Sequence, residues 1–134
     1  MKIAYLIDTD WIINYLYGRE QVVKKLEELE PEGMAVSVIS LAELYEGAYY
    51  SKNPEASQKG IEDFLEDIPI LGISKEICKI FGLERGKLRK QGNIIEDFDL
   101  LIASICLHYD LTLLSNNRKH YDRIEGLRIF SLSG

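Results

Sequence analysis

The sequence holds only two cysteines, two histidines and one tryptophan among its 134 residues. Cys78 and Cys106 lie inside apolar helical patterns and lack the paired C-x-x-C spacing of zinc and redox sites, so they read as buried, reduced thiols in a cytoplasm. No apolar run approaches the roughly 20 residues needed to span a bilayer. A single Lys precedes the short apolar stretch that meets Asp8, which is not the pattern of a secretory leader. The expectation is a soluble, cytoplasmic protein with no membrane partner. No G-x-G-x-x-G and no Walker loop is present, so nothing supports a nucleotide cofactor. Repeats, low-complexity tracts and linkers are missing too, and 46% hydrophobic residues suffice for the core of one domain spanning residues 1–134.

A surplus of basic charge is also absent. The net charge is −6, whereas proteins that neutralise phosphates usually carry excess Lys and Arg. The distribution softens the objection. Residues 1–67 hold 6 basic and 14 acidic side chains, while residues 68–134 hold 10 and 8. Between residues 79 and 90, Lys79, Arg85, Lys87, Arg89 and Lys90 are opposed only by Glu84. Such a run is either a phosphate-tracking face or a solvated helix surface.

What is present is an alternation of strands and helices. Ile3-Ala4-Tyr5-Leu6-Ile7 is a continuous apolar run ending at Asp8, as expected of a strand buried on both faces. A short helix follows from Asp10 to Tyr17, then a second from Glu20 to Glu30, ended by Pro31 and Gly33. Met34 to Ile39 reads as a strand, with Ser40 opening a helix through Tyr49 or Tyr50. Asn53-Pro54 starts a helix, Ile68 to Ile73 forms a strand, and Ser74 caps a helix that stops near Gly92. Asp97 to His108 is the most apolar helix, and Leu111 to Leu114 and Leu127 to Phe130 are late strands. This order predicts an α/β sandwich around a central, mostly parallel sheet of four to five strands with helices on both faces.

In open parallel sheets ligands bind beyond the carboxyl ends of the strands. Asp8 stands at one such end, Glu43 one helical turn after another, and Asn116 and Asn117 at a third. Asp97 and Asp99 open the helix before that third strand. Carboxylates gathered in this way repel one another unless a cation compensates. The donors are hard oxygens, which favours Mg²⁺ or Mn²⁺ over Zn²⁺, and an ion that keeps its waters suits phosphodiester hydrolysis.

Structural roles compete for the same residues. Asp8, Thr9 and Asp10 also describe a strand end and helix N-cap, although a carboxylate ending a buried strand needs a partner. Ser40-Leu41-Ala42-Glu43 is a capping box. Asp97 and Asp99 also suit a helix dipole; two residues apart, they do not point at one ion, and Asp99 shares the buried stripe of Ile102, Ala103 and Cys106. His108 suits a C-terminal dipole contact. His120 falls in a polar loop beside Arg118 and Lys119. Tyr45, Tyr49 and Tyr50 suggest an interface.

Four segments, "LIDTDWII", "SVISLAELYEGA", "GNIIEDFDLLIAS" and "LTLLSNNRKHYDRIEGLRI", occur in this order over nearly the whole chain. Together they resemble the PIN-domain ribonucleases, and within them the VapC toxins of prokaryotic toxin–antitoxin pairs. The resemblance implies a PIN-like three-layer sandwich and a metal-dependent endoribonuclease using Mg²⁺ or Mn²⁺. It makes Asp8, Glu43 and Asp99 the catalytic, metal-binding acids. Many relatives carry a fourth acid after the penultimate strand; this chain has Ser115-Asn116-Asn117, similar to a common variant, leaving Asp97, Asn116 and Asn117 as candidate additional ligands. Arg89, Lys90, Arg118, Lys119 and His120 are candidate RNA contacts, with tRNA or rRNA as the substrate class. The resemblance further implies a homodimer and a cognate antitoxin whose C-terminal segment enters the acidic groove.

Two other readings remain open. Asp8-Thr9-Asp10 after an apolar strand also looks like the start of a haloacid-dehalogenase-type phosphatase, but Ile12 and the short chain fit that fold poorly. The alternative is a non-catalytic PIN-like binding module lacking the fourth acid.

Overall fold

The computed structural model describes residues 2–132. Its centre is β1 (Tyr5–Ile7), hydrogen-bonded in parallel to β2 (Met34–Ser37) on one side and β4 (Thr112–Leu114) on the other. Two edge strands, β3 (Ile70–Leu71) and β5 (Arg128–Phe130), complete a sheet of order β3-β2-β1-β4-β5 in which every pairing is parallel. The long elements are helices: α1 (Thr9–Leu16), α2 (Glu20–Leu29), α3 (Val38–Tyr49), α4 (Pro54–Leu65), α5 (Lys75–Lys90) and α6 (Asp97–Tyr109), with a short α7 (Arg118–Tyr121) before β5.

Side chains alternate across the three inner strands, and that alternation produces the layers. Leu6, Ala35 and Leu113 enter one core with Ile77 and Leu88 of α5 and Leu100 and Ile105 of α6. Ile7, Val36 and Leu114 enter the other with Trp11, Val22, Leu44 and Ile61 from α1 to α4. The expected parallel sheet covered on both faces is therefore present. Each fully buried Leu or Ile stabilises by about 2 kcal/mol relative to exposure, so removing one from either core is costly.

Differences from the expected boundaries have local causes. β2 ends at Ser37, not Ile39, because the Ser37 hydroxyl accepts the Ser40 N–H at 3.0 Å and caps α3. The expected Ser40–Glu43 capping box does not form, and Glu43 is left inside the helix, free for other partners. The third strand shrinks from Ile68–Ile73 to Ile70–Leu71. Cys106 is buried as expected, but Cys78 is exposed, because α5 buries Ile77 and turns the next residue outward. Gly33 sits at φ +94°, where a Cβ would lie 2.1 Å from the Lys2 carbonyl oxygen. Its own carbonyl accepts the N–H groups of Ala4 (2.9 Å) and Tyr5 (3.1 Å), fixing the entry to β1.

Candidate active site

The carboxyl ends of β1, β2 and β4 carry polar residues that are almost completely buried: Asp8 (3% exposed), Ser37, Ser40 and Ser115. Asp8 follows β1 directly and caps α1, so the backbone that ends the strand also aims its carboxylate. One oxygen accepts the Thr9 N–H at 2.9 Å, the other the Ser115 hydroxyl at 2.6 Å. These bonds favour the anion, yet burial outweighs them and, with the charges of Asp10 and Asp99, pushes the Asp8 carboxyl up to about 6.

Glu43 is brought in by the same turn. Thr9 Oγ1 lies 2.7 Å from Glu43 Oε1 and 2.8 Å from Ser40 Oγ. A hydroxyl has one proton to give, so Thr9 donates to the carboxylate and accepts from Ser40. Asp99, in the first turn of α6, has its oxygens on His120 Nδ1 (2.7 Å) and on the Tyr121 hydroxyl, which donates at 3.3 Å. Tyr121 is fully buried, and burial together with the charges of Asp8 and Asp99 raises its hydroxyl above the usual range.

Asp10, to which the sequence gives only a capping role, also faces the cluster. Its Oδ2 accepts the Asn116 N–H at 2.9 Å, while its Oδ1 is buried without a hydrogen-bond partner among the described residues. Burial, with the nearby Asp99 charge, raises its carboxyl as well. The signal in the sequence was the second acid of Asp8-Thr9-Asp10, which capping alone seemed to explain.

The reserve ligands fare differently. Asp97 is not brought in: its carboxylate is exposed and paired with Arg85. Asn116 has its side-chain oxygen filled, accepting Trp11 Nε1 at 3.0 Å and the Leu132 N–H at 2.9 Å. Asn117 lies on the exposed surface, with its backbone N–H on Ser115 Oγ. Among the expected RNA contacts, Arg89, Lys90 and Lys119 are exposed. Arg118 is tied to the Ile129 carbonyl, Ser131 and Asp122. His120 stands against Asp99 rather than in a free loop.

No three Asp, Glu, His or Cys side chains among the described residues are grouped tightly enough to enclose a metal ion unaided. The donor set nevertheless fits Mg²⁺ or Mn²⁺. Such ions commonly take one or two carboxylates and keep waters in the remaining positions. A buried carboxylate oxygen with no partner and a second buried carboxylate with a raised pKa mark negative charge that a cation would compensate. Beside the cluster, Glu43 also borders a largely apolar groove of about 420 Å³ between α1, α3 and α4, lined by Ile13, Leu16, Tyr17, Leu44 and Ile61.

The PIN-domain family pattern matches residues 5–127. Ribonuclease VapC2 of Haemophilus influenzae is 34% identical over 126 residues, which cover 94% of this chain and 96% of the relative. A tRNA(fMet)-specific endonuclease VapC of Shigella flexneri is 29% identical over 126 residues, with the same two coverages of 94% and 96%. The solved structure of VapBC2 from Rickettsia felis, bound to a DNA fragment from its promoter, superposes with a TM-score of 0.91 at 31% identity, covering 98% of this chain and 100% of the matched one. The chain belongs to the PIN-domain family, among the VapC ribonucleases.

Proposed function

We propose that this protein is a metal-dependent endoribonuclease that hydrolyses RNA phosphodiester bonds, and the toxin of a VapBC-type pair. The observation that carries the reading is the convergence of Asp8, Asp10, Glu43 and Asp99 on one sheet edge, with Asp8 and one oxygen of Asp10 buried and both of those carboxyls raised in pKa. Asp8, Asp99 and Glu43 would hold Mg²⁺ or Mn²⁺, with Asp10 as a further acid in place of Asp97, Asn116 or Asn117. When bound, the ion supplies an activated water and stabilises charge on the scissile phosphate. The chain's own work is orientation. Thr9 and Ser115 fix the two oxygens of Asp8, Thr9 steers Glu43, and Tyr121 and His120 direct Asp99. Exposed Arg89, Lys90 and Lys119 are the candidate contacts to the RNA backbone.

The solved relative is a VapBC2 assembly, which supports a cognate antitoxin here, its apolar segment in the groove beside Glu43 and a basic group toward the carboxylates. The protein acts in this reading as one domain, as a homodimer, in the cytoplasm. In the described residues no helix is long and apolar enough to cross a membrane.

Antitoxin-free protein incubated with end-labelled tRNA and rRNA in Mg²⁺ or Mn²⁺, beside EDTA and Asp8→Asn controls, tests the proposal. Metal-dependent cuts absent from Asp8→Asn support it. Folded protein that binds RNA and cuts none would transfer the assignment to a binding module.

A further inference from the structure

The oxygens of the site suit a hard cation, but one nitrogen stands among them. His120 Nδ1 lies 2.7 Å from Asp99 Oδ2, close to the roughly 3 Å that separates neighbouring ligands on one ion with bonds near 2.1 Å. The imidazole is half-exposed, at 53%, on a side chain free to adjust, while Asp99 is only 21% exposed and held from behind by Tyr121. His120 Nε2 has no protein partner among the described residues. α7 fixes this placement: the turn after β4 buries Tyr121 completely and leaves the preceding residue over the carboxylates.

We propose that His120 is a nitrogen donor to the ion held by Asp99, and that it makes the site prefer Mn²⁺ over Mg²⁺. The proposal rests on the metal-dependent nuclease reading. Imidazole is a good donor to first-row transition-metal ions, whereas Mg²⁺ is served by carboxylate, carbonyl and water. A ring already touching the Asp99 carboxylate reaches a shared ion without backbone movement. The ion would take the place of the hydrogen bond that joins the two groups in its absence. Exposed His108, at the far end of α6 against Tyr109, has no such neighbour.

The test uses untagged, antitoxin-free full chain with Mn²⁺ as the probe. Pulsed EPR of the bound ion is expected to show ¹⁴N coupling in the wild type and none in His120→Gln, which retains a donor to Asp99 but offers no imidazole. In competition titrations, His120→Asp restores an all-oxygen set and lowers the Mn²⁺-over-Mg²⁺ preference about tenfold. Mn²⁺ bound without ¹⁴N coupling in the wild type overturns the proposal and leaves the nuclease reading standing. A wild type that binds no Mn²⁺ overturns both. His120 is exposed, so neither substitution threatens the fold, and unchanged circular dichroism of the variants verifies that.

Discussion

The two ends of the central sheet are built from the same strands to opposite purposes. At the amino end, main-chain bonds from the Ala4 and Tyr5 N–H groups to the Gly33 carbonyl close the structure, and the acids nearby, such as Glu32, stay on the surface. At the carboxyl end, Asp8 and three serines are buried, one oxygen of Asp10 has no partner among the described residues, and the charges of Asp8, Asp10 and Asp99 act on one another. The first end contributes stability. The second gives some of it up for a charged, pre-oriented cluster, a local cost of the kind that marks a candidate functional site.

The largest test of this contrast is Asp8→Asn. RNA cleavage should fall at least about a hundredfold, because in the proposed reading Asp8 is a metal ligand. In EDTA the same variant should unfold at higher urea concentration than the wild type, because a buried charge has gone while the amide oxygen still accepts the Thr9 N–H and the amide nitrogen donates to Ser115 Oγ. A destabilised metal-free variant would break the comparison.

The pH response sharpens it further. Asp8 rises from 3.8 to about 6 on folding, so the native state binds more protons than the unfolded chain between those values. Metal-free stability is therefore greatest below pH 4 as far as this group is concerned, and is lost as pH rises through 6. The loss is about 3 kcal/mol at 1.36 kcal/mol per unit. Asp10 shifts in the same direction and adds to it. Urea titrations in EDTA across this window should show the decline, and Asp8→Asn should flatten it.

At the other end, Gly33→Ala places a methyl against the Lys2 carbonyl and forces a left-handed conformation. It should cost at least about 2 kcal/mol, read as a lower urea midpoint at constant slope. Mn²⁺ affinity of the folded fraction should not change; if it did, the two ends would not be separable. The smallest effect is expected between them. Asn116→Ala strands the buried Trp11 Nε1 and should cost about 1 kcal/mol in thermal unfolding, whereas Asn116→Asp keeps the acceptor and most of the stability.

Much of this was legible in the residue order. Asp8, Glu43 and Asp99 were singled out by their places beyond strands and at a helix start, and the structure brings them to one edge. Asp97 and Asp99 were separated correctly by helical phase, since two residues turn the side chain away from the cluster and toward Arg85. Asp10 was missed because capping offered a sufficient local reason for an acid there. Glu43 was read as half of a capping box because Ser37 and Ser40 both satisfy the same capping chemistry, and only the end of β2 chooses between them.

The sequence by itself determined the helices, the parallel sheet and the acids at its carboxyl edge, because burial periodicity, caps and strand ends are local properties of the chain. Only the tertiary structure decided which partners those acids have. The bonds between Ser115 and Asp8, between Trp11 and Asn116 and between His120 and Asp99 join residues 107, 105 and 21 positions apart. The packing of β4 and α7 against β1 and α6 brings those side chains together, and no local pattern specifies that meeting.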